Sequence, residues 1–378
     1  MTCDDSIRVA IVGGGLAAAS LAFHLGPTFG DRVTLIEREA GPGMHSSGRS
    51  AEMIRQAVLP PPVARLARRS AEVLGRAKWA RFRPTGSLLL GSEASLTELR
   101  DALGESDALP PGADITRAAA HLPPGDLRAA LGERAALWTP TDGIVDASSI
   151  LSHFLDDAAR HGVTIRYGTP VEGVVVEDGQ VKGVRVDGAF LAADIVVNAT
   201  GAWVGAFAEG LGALPVGWSV LRRHLAHLGP AADIPRDLPF IWDIDAGWYL
   251  RPESRGLLAC ACDESPSPPC DPQVDRSVLD ALGRKLSEAH LPLDRLPVRR
   301  CWAGLRTFAP DRTFVIGFDP CLDGFFWMGG LGGHGVTCSW AAGELGARLL
   351  AGESPREAES FDPARFLDHS AGEAGAIT

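Results

Sequence analysis

Residues 7–37 read IRVAIVGGGLAAASLAFHLGPTFGDRVTLIE. Ile7 to Val12 is a short apolar run rich in β-branched residues and predicts a strand. Gly13-Gly14-Gly15 follows at once as a tight turn. The Ala/Leu stretch from Leu16 through Leu25 then predicts a helix, and Val33 to Ile36 a second strand that ends in Glu37. Strand, turn, helix and strand make one βαβ unit, so the expected fold class is α/β with a Rossmann-like parallel sheet.

Outward from this unit the pattern changes. From Pro60 to about Leu137, Arg/Ala/Leu helices are broken by Pro-Pro steps at 60–62, 110–111 and 123–124, around one short strand at Ser87 to Leu90. Ser148 to His161 reads as an amphipathic helix. Val171 to Val176, Val181 to Val186 and Ile195 to Val197 are β-rich runs with a turn at Asp178-Gly179, and the last leads into Asn198-Ala199-Thr200-Gly201-Ala202-Trp203. Residues 216–300 read as a mixed, largely antiparallel sheet with a helix at Ser277 to His290. Strands at Thr313 to Gly317 and Gly324 to Met328, a glycine-rich turn at Gly329 to Gly335 and a closing helix follow. The expected organisation is a discontinuous nucleotide domain of residues 1–80, 142–213 and 305–378, with a substrate domain of 81–141 and 214–304.

The 378 residues suit two domains. Hydrophobic residues make up 46% and the formal net charge is −11, with no basic block. That balance argues against nucleic acid or an anionic membrane as partner. The seven cysteines are scattered, without CxxC or metal spacing, so no metal is expected and reduced thiols in a cytoplasm are the simplest reading. The acidic start MTCDDSIR predicts neither signal nor transit peptide, and no apolar run approaches the ~18 residues of a membrane span.

Gly13-x-Gly15-x-x-Ala18 with an acid at 37 carries the first chemistry. The glycines let backbone approach a pyrophosphate, the helix start at Leu16 and Ala17 offers free N–H groups, and Glu37 accepts from ribose hydroxyls. The N-terminal position, the later NATGAW turn and the second glycine-rich turn near the C-terminus favour FAD over NAD.

The segments RVAIVGGGLAAAS, IEREAGPGMHSSGRSA, TDGIVD, VVNATGAW, GWYLRP, CWAGLRTFAPD and DGFFWMGGLGGHGVTCS, in this order, resemble the D-amino acid oxidase and glycine oxidase superfamily. Within it they are most similar to bacterial D-arginine and D-amino acid dehydrogenases. The resemblance implies that Glu37 and Arg38 serve the ribose, and that His45, Ser46, Ser47, Gly48, Arg49 and Ser50 wrap the pyrophosphate and ribityl chain. It also implies that Val174 or a strand neighbour flanks the adenine, and that Thr200, Gly201 and Trp203 form a second contact. Gly332, Gly333, His334, Gly335, Val336 and Thr337 resemble the turn where a helix N-terminus meets the flavin's pyrimidine edge. There, negative charge that develops on hydride uptake is stabilised by free N–H groups.

On the substrate side the resemblance makes Arg306 the carboxylate-binding residue, with Arg222 and Tyr249 lining the pocket and Gly333 close by. Charge-assisted bonds to a carboxylate contribute roughly 1.5 to 3 kcal/mol each. Strand alternation sends either Arg222 or Arg223 inward, and the sequence leaves that choice open. His45 is a flavin neighbour, a covalent attachment site or a loop histidine. Cys260 and Cys262 read as core residues ahead of a redox pair.

The implied reaction takes hydride from the Cα of a small amino acid to flavin N5, releasing an imino acid that hydrolyses to a 2-oxo acid and ammonia. Oxygen or a quinone would reoxidise the flavin, in a cytoplasmic monomer or homodimer. At Ser87 the D-arginine dehydrogenase pattern has a carboxylate for a cationic side chain. Its absence, with Met53, Trp242, Trp248 and Tyr249 nearby in the reading, points to a neutral or aromatic D-amino acid unless Glu52 or Glu93 supplies the acid. Ser87→Glu is then expected to favour D-arginine. The rivals are a glycine or sarcosine type of amine oxidase, a 2-hydroxy acid oxidase, and a flavin-bearing assembly or sensor protein.

Overall fold

The computed structural model describes residues 6–231, 234–291, 293 and 296–367. The chain divides into two compact units, one of residues 1–48, 147–220 and 306–378, the other of 49–146 and 221–305.

The first unit is built on a six-stranded sheet. Its spatial order is Val315–Phe318, Phe325–Gly329, Ile195–Asn198, Val9–Val12, Val33–Ile36 and Thr164–Arg166. All neighbours run parallel except the first pair. Every residue of Val9–Val12 is buried, as the unbroken apolar run requires of a strand covered on both faces. The helix Leu16–Phe29 packs against the helices Ala147–Arg160 and Gly335–Leu350. Contact between the first and last of these is close: Ser20 Oγ donates to the Ser339 carbonyl at 2.7 Å, and a Cβ at Gly343 would meet Ser20 Oγ at 2.1 Å. A three-stranded antiparallel sheet, Ala189–Ala192, Gln180–Val186 and Val171–Glu177, completes the unit.

The second unit carries a mixed sheet in the order Ser265–Pro266, Ser219–Leu228, Gly256–Cys260, Trp248–Glu253, Phe240–Asp243, Ser87–Leu90, Ala135–Thr139 and Asp114–Arg117. Only Phe240–Asp243 and Ser87–Leu90 pair in parallel among the strand registers that line this path. Alternation divides its residues cleanly. Leu88, Leu90, Ala136, Ile241, Trp248, Leu250, Leu257 and Ala259 enter an apolar core with Val278, Leu282 and Leu286 of the helix Ser277–Glu288. The alternate residues, including Ser87, Trp242, Tyr249, Cys260 and Arg223, share the opposite face.

Residues 49–80, expected with the nucleotide domain, fall in the second unit. The reason is pairing: Met53 and Ile54 form an antiparallel ladder with Ile144 and Gly143, and residues 142–144 are themselves tied to the second unit, Ile144 exchanging backbone bonds with Arg83 at 2.8 and 3.0 Å and Asp142 accepting from Ser87 at 2.7 Å. The other boundaries move to 147, 221 and 306. Among the described residues, no helix is long and apolar enough to cross a membrane, and no group of three His, Cys, Asp or Glu side chains is placed to hold a metal ion.

Candidate active site

In the first unit, a cavity of about 420 Å³ opens at the carboxyl ends of the central strands. Its walls come from Val12–Gly15, Ile36–Arg38, Gly43–Ser47, Thr169–Val171, Ala199–Trp203, Ala206 and Phe207. Gly13 has φ of 118°, and a Cβ there would meet the Ala199 carbonyl oxygen at 2.4 Å. Only glycine serves there, on both grounds. Glu37 braces the turn, its carboxylate accepting from Gly14 N at 2.5 Å and from Glu39 N at 2.8 Å. Ser47 Oγ accepts from Leu16 N at 3.0 Å at the start of the helix.

One wall is aromatic and charged. The Arg38 guanidinium lies 3.9 Å over the Trp203 ring, and His45 lies 4.8 Å from the same ring. His45 Nε2 sits 2.9 Å from Glu39 Oε1, and that hydrogen bond holds the Glu39 carboxyl below its ordinary range. His45 Nδ1 is buried without a hydrogen-bond partner among the described residues. In the strand Val171–Glu177, Val171 lines the cavity. Val171 is one of the strand neighbours that the resemblance allowed beside Val174, and both pack against the apolar cluster of Val181, Val184 and Val186.

The glycine-rich turn of the same unit holds Arg306. Its Nε and Nη2 donate to the Gly332 carbonyl at 3.1 and 2.6 Å, and its guanidinium lies 4.9 Å over the Phe308 ring. Gly333, at φ 86°, is crossed so closely by Arg306 that a Cβ would stand 2.2 Å from Nε. His334 closes the turn and Gly335 begins the helix Gly335–Leu350, as the sequence implied.

The second unit presents the polar sheet face. Trp242, Tyr249 and Cys260 are register neighbours across three strands, with the first two rings 4.6 Å apart. Arg55 lies 4.0 Å over Trp242, and burial lowers its pKa to about 10. Ser87 and Asp142 are both buried on this side. Asp142 accepts from Ser87 Oγ at 2.7 Å, Gln56 N at 3.1 Å and Gln56 Nε2 at 2.9 Å. Burial nevertheless raises its carboxyl to about 7 against those bonds and the nearby Arg55 charge.

Several expected residues lie elsewhere. Arg223 faces Tyr249 and the cysteines, its Nε donating to the Asp263 carbonyl at 2.7 Å and its Nη2 to Glu264 at 3.1 Å. Arg222, the residue first assigned to the pocket, turns to the Gln273 carbonyl at 3.2 Å. Arg49 belongs to the second unit, where it donates to the Ala303 carbonyl and pairs with Asp271. Trp248 is buried in the apolar core, because its strand alternates and Tyr249 takes the other face.

The model of the family described as DAO, FAD dependent oxidoreductase, matches residues 8–349. The chain belongs to the DAO family of FAD-dependent oxidoreductases. A D-amino acid dehydrogenase of Xanthobacter autotrophicus is 32% identical over 228 residues, 58% of this chain and 51% of that protein. A 4-methylaminobutanoate oxidase (formaldehyde-forming) of Paenarthrobacter nicotinovorans is 23% identical over 96% of this chain and 46% of its own length. The chain thus spans about half the length of these two relatives. The L-proline dehydrogenase structure from P. horikoshii shares the fold, with TM-score 0.83 and 23% identity over 96% of this chain and 98% of that one.

FAD is the cofactor of this DAO family. The first unit fits its dinucleotide part: Gly13, Gly14 and Gly15 bring bare backbone to the wall of the cavity, the helix Leu16–Phe29 points its N-terminus there, and His45 Nδ1 is a buried polar atom that a cofactor group would satisfy. Two residues with site character, Arg55 and Asp142, were missed in the sequence. Asp142 lies inside the family-like segment TDGIVD, whereas no local signal marks Arg55.

Proposed function

We propose that this DAO-family chain oxidises a small, neutral or aromatic D-amino acid to an imino acid, which hydrolyses to a 2-oxo acid and ammonia. FAD, when bound, supplies the hydride acceptor. Arg306 would take the substrate carboxylate, and the helix start at Gly335 would offer its free N–H groups to the negative charge that hydride uptake gives a bound flavin. Oxygen or a quinone is the terminal acceptor of a cytoplasmic monomer or homodimer.

The observation that carries the side-chain reading is the state of the acids that could stand in for the carboxylate missing at Ser87. Glu52 is paired with Arg251 at 3.3 Å, and Glu93 with Arg117 at 3.2 Å. Asp142, the acid that does adjoin Ser87, is bound by three donors and is pushed toward its neutral form. A substrate guanidinium stripped of water without a free carboxylate pays several kcal/mol.

A second reading is a glycine or sarcosine type of amine oxidase that binds the carboxylate on Arg55. It is favoured by the partly buried Arg55 guanidinium stacked on Trp242. Anaerobic mixing of the yellow protein with D- and L-amino acids, sarcosine, N-methylated amines and 2-hydroxy acids tests both. Bleaching of the flavin band by neutral D-amino acids supports the first. Bleaching by sarcosine alone selects the second, and a flavin that none of them reduces overturns both.

A further inference from the structure

The strand Gly256–Cys260 ends in Cys260-Ala261-Cys262-Asp263-Glu264. Two neighbours on the adjacent strand clamp this exit. His224 is buried, and its Nε2 accepts from Asp275 N at 2.9 Å, so Nδ1 carries the proton and donates to Asp263 Oδ2 at 2.7 Å. His224 N donates to the other oxygen of Asp263 at 2.9 Å. Arg223 holds the Asp263 carbonyl and Glu264.

The clamp has a consequence for the thiols. Cys262 is held at φ 51°, a left-handed conformation that a residue with a Cβ rarely adopts. That turn folds Cys262 back over the strand end, so its N–H donates to Cys260 Sγ at 3.2 Å. The last residue of the strand and a residue of the turn beyond it are thereby brought into mutual contact.

Charge follows the geometry. Burial opposes ionisation of Cys260, yet the bonds from Cys262 and the Arg223 guanidinium outweigh it and lower its pKa to about 6. Cys262 moves the other way, kept protonated by its bond to the Cys260 sulfur and by burial. Both the geometry and the direction of these shifts favour negative charge on Cys260 over Cys262. Burial raises the pKa of Cys301 and Cys321, so exposure alone does not make those thiols reactive.

We propose that Cys260 and Cys262 form a thiol pair that a peroxide converts to a disulfide. The Cys260 thiolate attacks one peroxide oxygen: an S–O bond forms, the O–O bond breaks and hydroxide leaves. The Cys262 sulfur then attacks the sulfenic sulfur, so that S–S forms, S–O breaks, and the departing oxygen leaves as water with the Cys262 proton. Two thiol sulfurs lose two electrons and the peroxide gains them. Cys260 is only 1% exposed, so the site selects small uncharged oxidants over bulky alkylating agents. The product removes a negative charge beside Arg223 and Tyr249 on the polar sheet face.

The test uses flavin-loaded protein treated with a small excess of hydrogen peroxide near neutral pH, then denatured and labelled with N-ethylmaleimide. Cleavage after Lys and Arg releases residues 256–276, which carry Cys260, Cys262 and Cys270. The expected peptide is two hydrogen atoms lighter, labelled at Cys270 alone. Label on all three thiols, or a bridge to Cys270 or Cys301, overturns the proposal, and wild-type protein suffices for this arm. In Cys262→Ser, oxidation should stop at a sulfenic acid on Cys260 that dimedone captures when the protein is denatured in its presence. In Cys260→Ser, peroxide should form a dimedone-trappable sulfenic acid on Cys262, read in the same way after timed exposure, at least tenfold more slowly than on Cys260 in Cys262→Ser, and equal rates overturn the assigned order of attack. Neither arm depends on which amine the enzyme oxidises.

Discussion

Ser87 Oγ donates to Asp142 Oδ2 at 2.7 Å, with both side chains fully buried. A position read from the sequence as an open hydroxyl facing substrate is therefore already committed to an internal acid. Ser87→Glu should not create a D-arginine site, because a second carboxyl buried beside Asp142 cannot ionise without bringing two charges of one sign together in a dry setting, and a protonated one offers a guanidinium no charge. The expected outcome is a lower Tm and no gain in kcat/KM for D-arginine relative to D-phenylalanine or D-leucine. The wild type should prefer the latter two by more than tenfold. A wild-type preference for D-arginine would show that another acid receives its side chain.

Asp142 should also leave a signature in stability. Its carboxyl is pushed up to about 7 in the folded protein from an ordinary 3.8, so the folded state holds the proton more tightly than the unfolded one. Between about pH 4 and 7 the unfolded chain has already released that proton, and each step upward costs the fold stability. The contribution is greatest below this window and is lost as pH rises through it. Urea midpoints measured from pH 4.5 to 7.5 should fall less steeply in Asp142→Asn than in wild type. Parallel curves would count against a buried, protonated Asp142.

Arg306→Ala should lower kcat/KM by roughly 2 to 4 kcal/mol, about thirty- to a thousandfold, through loss of a charged partner for a partly desolvated carboxylate. Arg306→Lys should recover only part, because a point charge does not reproduce the guanidinium fork. Since Arg306 also ties down the Gly332 carbonyl, flavin content must be measured beside the kinetics. Arg55→Met is the control: if it costs more than Arg306→Ala at full flavin content, the carboxylate sits on Arg55.

The glycine turn separates fold from cofactor. At Gly13 a Cβ would strike the Ala199 carbonyl, and φ is 118°, so Gly13→Ala should lower the Tm of the flavin-free protein itself. At Gly15 the nearest atom to a Cβ is the side-chain oxygen of Ser47 at 3.1 Å, and φ is an ordinary −84°. Gly15→Val should leave the flavin-free Tm within a few degrees of wild type and abolish FAD retention. Glu37→Ala should weaken FAD without changing substrate preference. Full flavin absorbance in Gly15→Val would remove the turn from the cofactor site.

The fold was legible because its signals are local. Residues 7–37 alternate apolar run, glycine turn and Ala-rich helix within reach of one another, and the structure returns that βαβ unit with Glu37 at the end of its strand. Ser87–Leu90 emerged at the expected residues, as a short apolar run between turns requires. Residues 49–80 cluster with the second unit, which helical periodicity does not reveal, because it says nothing about which neighbour a segment joins. Their ladder to Gly143 and Ile144, with the bonds of Ile144 to Arg83, holds them there.

By itself the sequence determined the parallel-sheet class, the glycine turn with its acid, and the second glycine turn that leads into a helix, since each follows from residue types a few positions apart. Only tertiary structure decided that Arg223 and not Arg222 faces Tyr249, because alternation gives two faces and pairing with the neighbouring strand chooses between them. Tertiary structure alone also placed Asp142 on Ser87 across 55 positions of chain, where burial sets its charge; no local pattern in a sequence encodes which distant donors will surround a carboxyl.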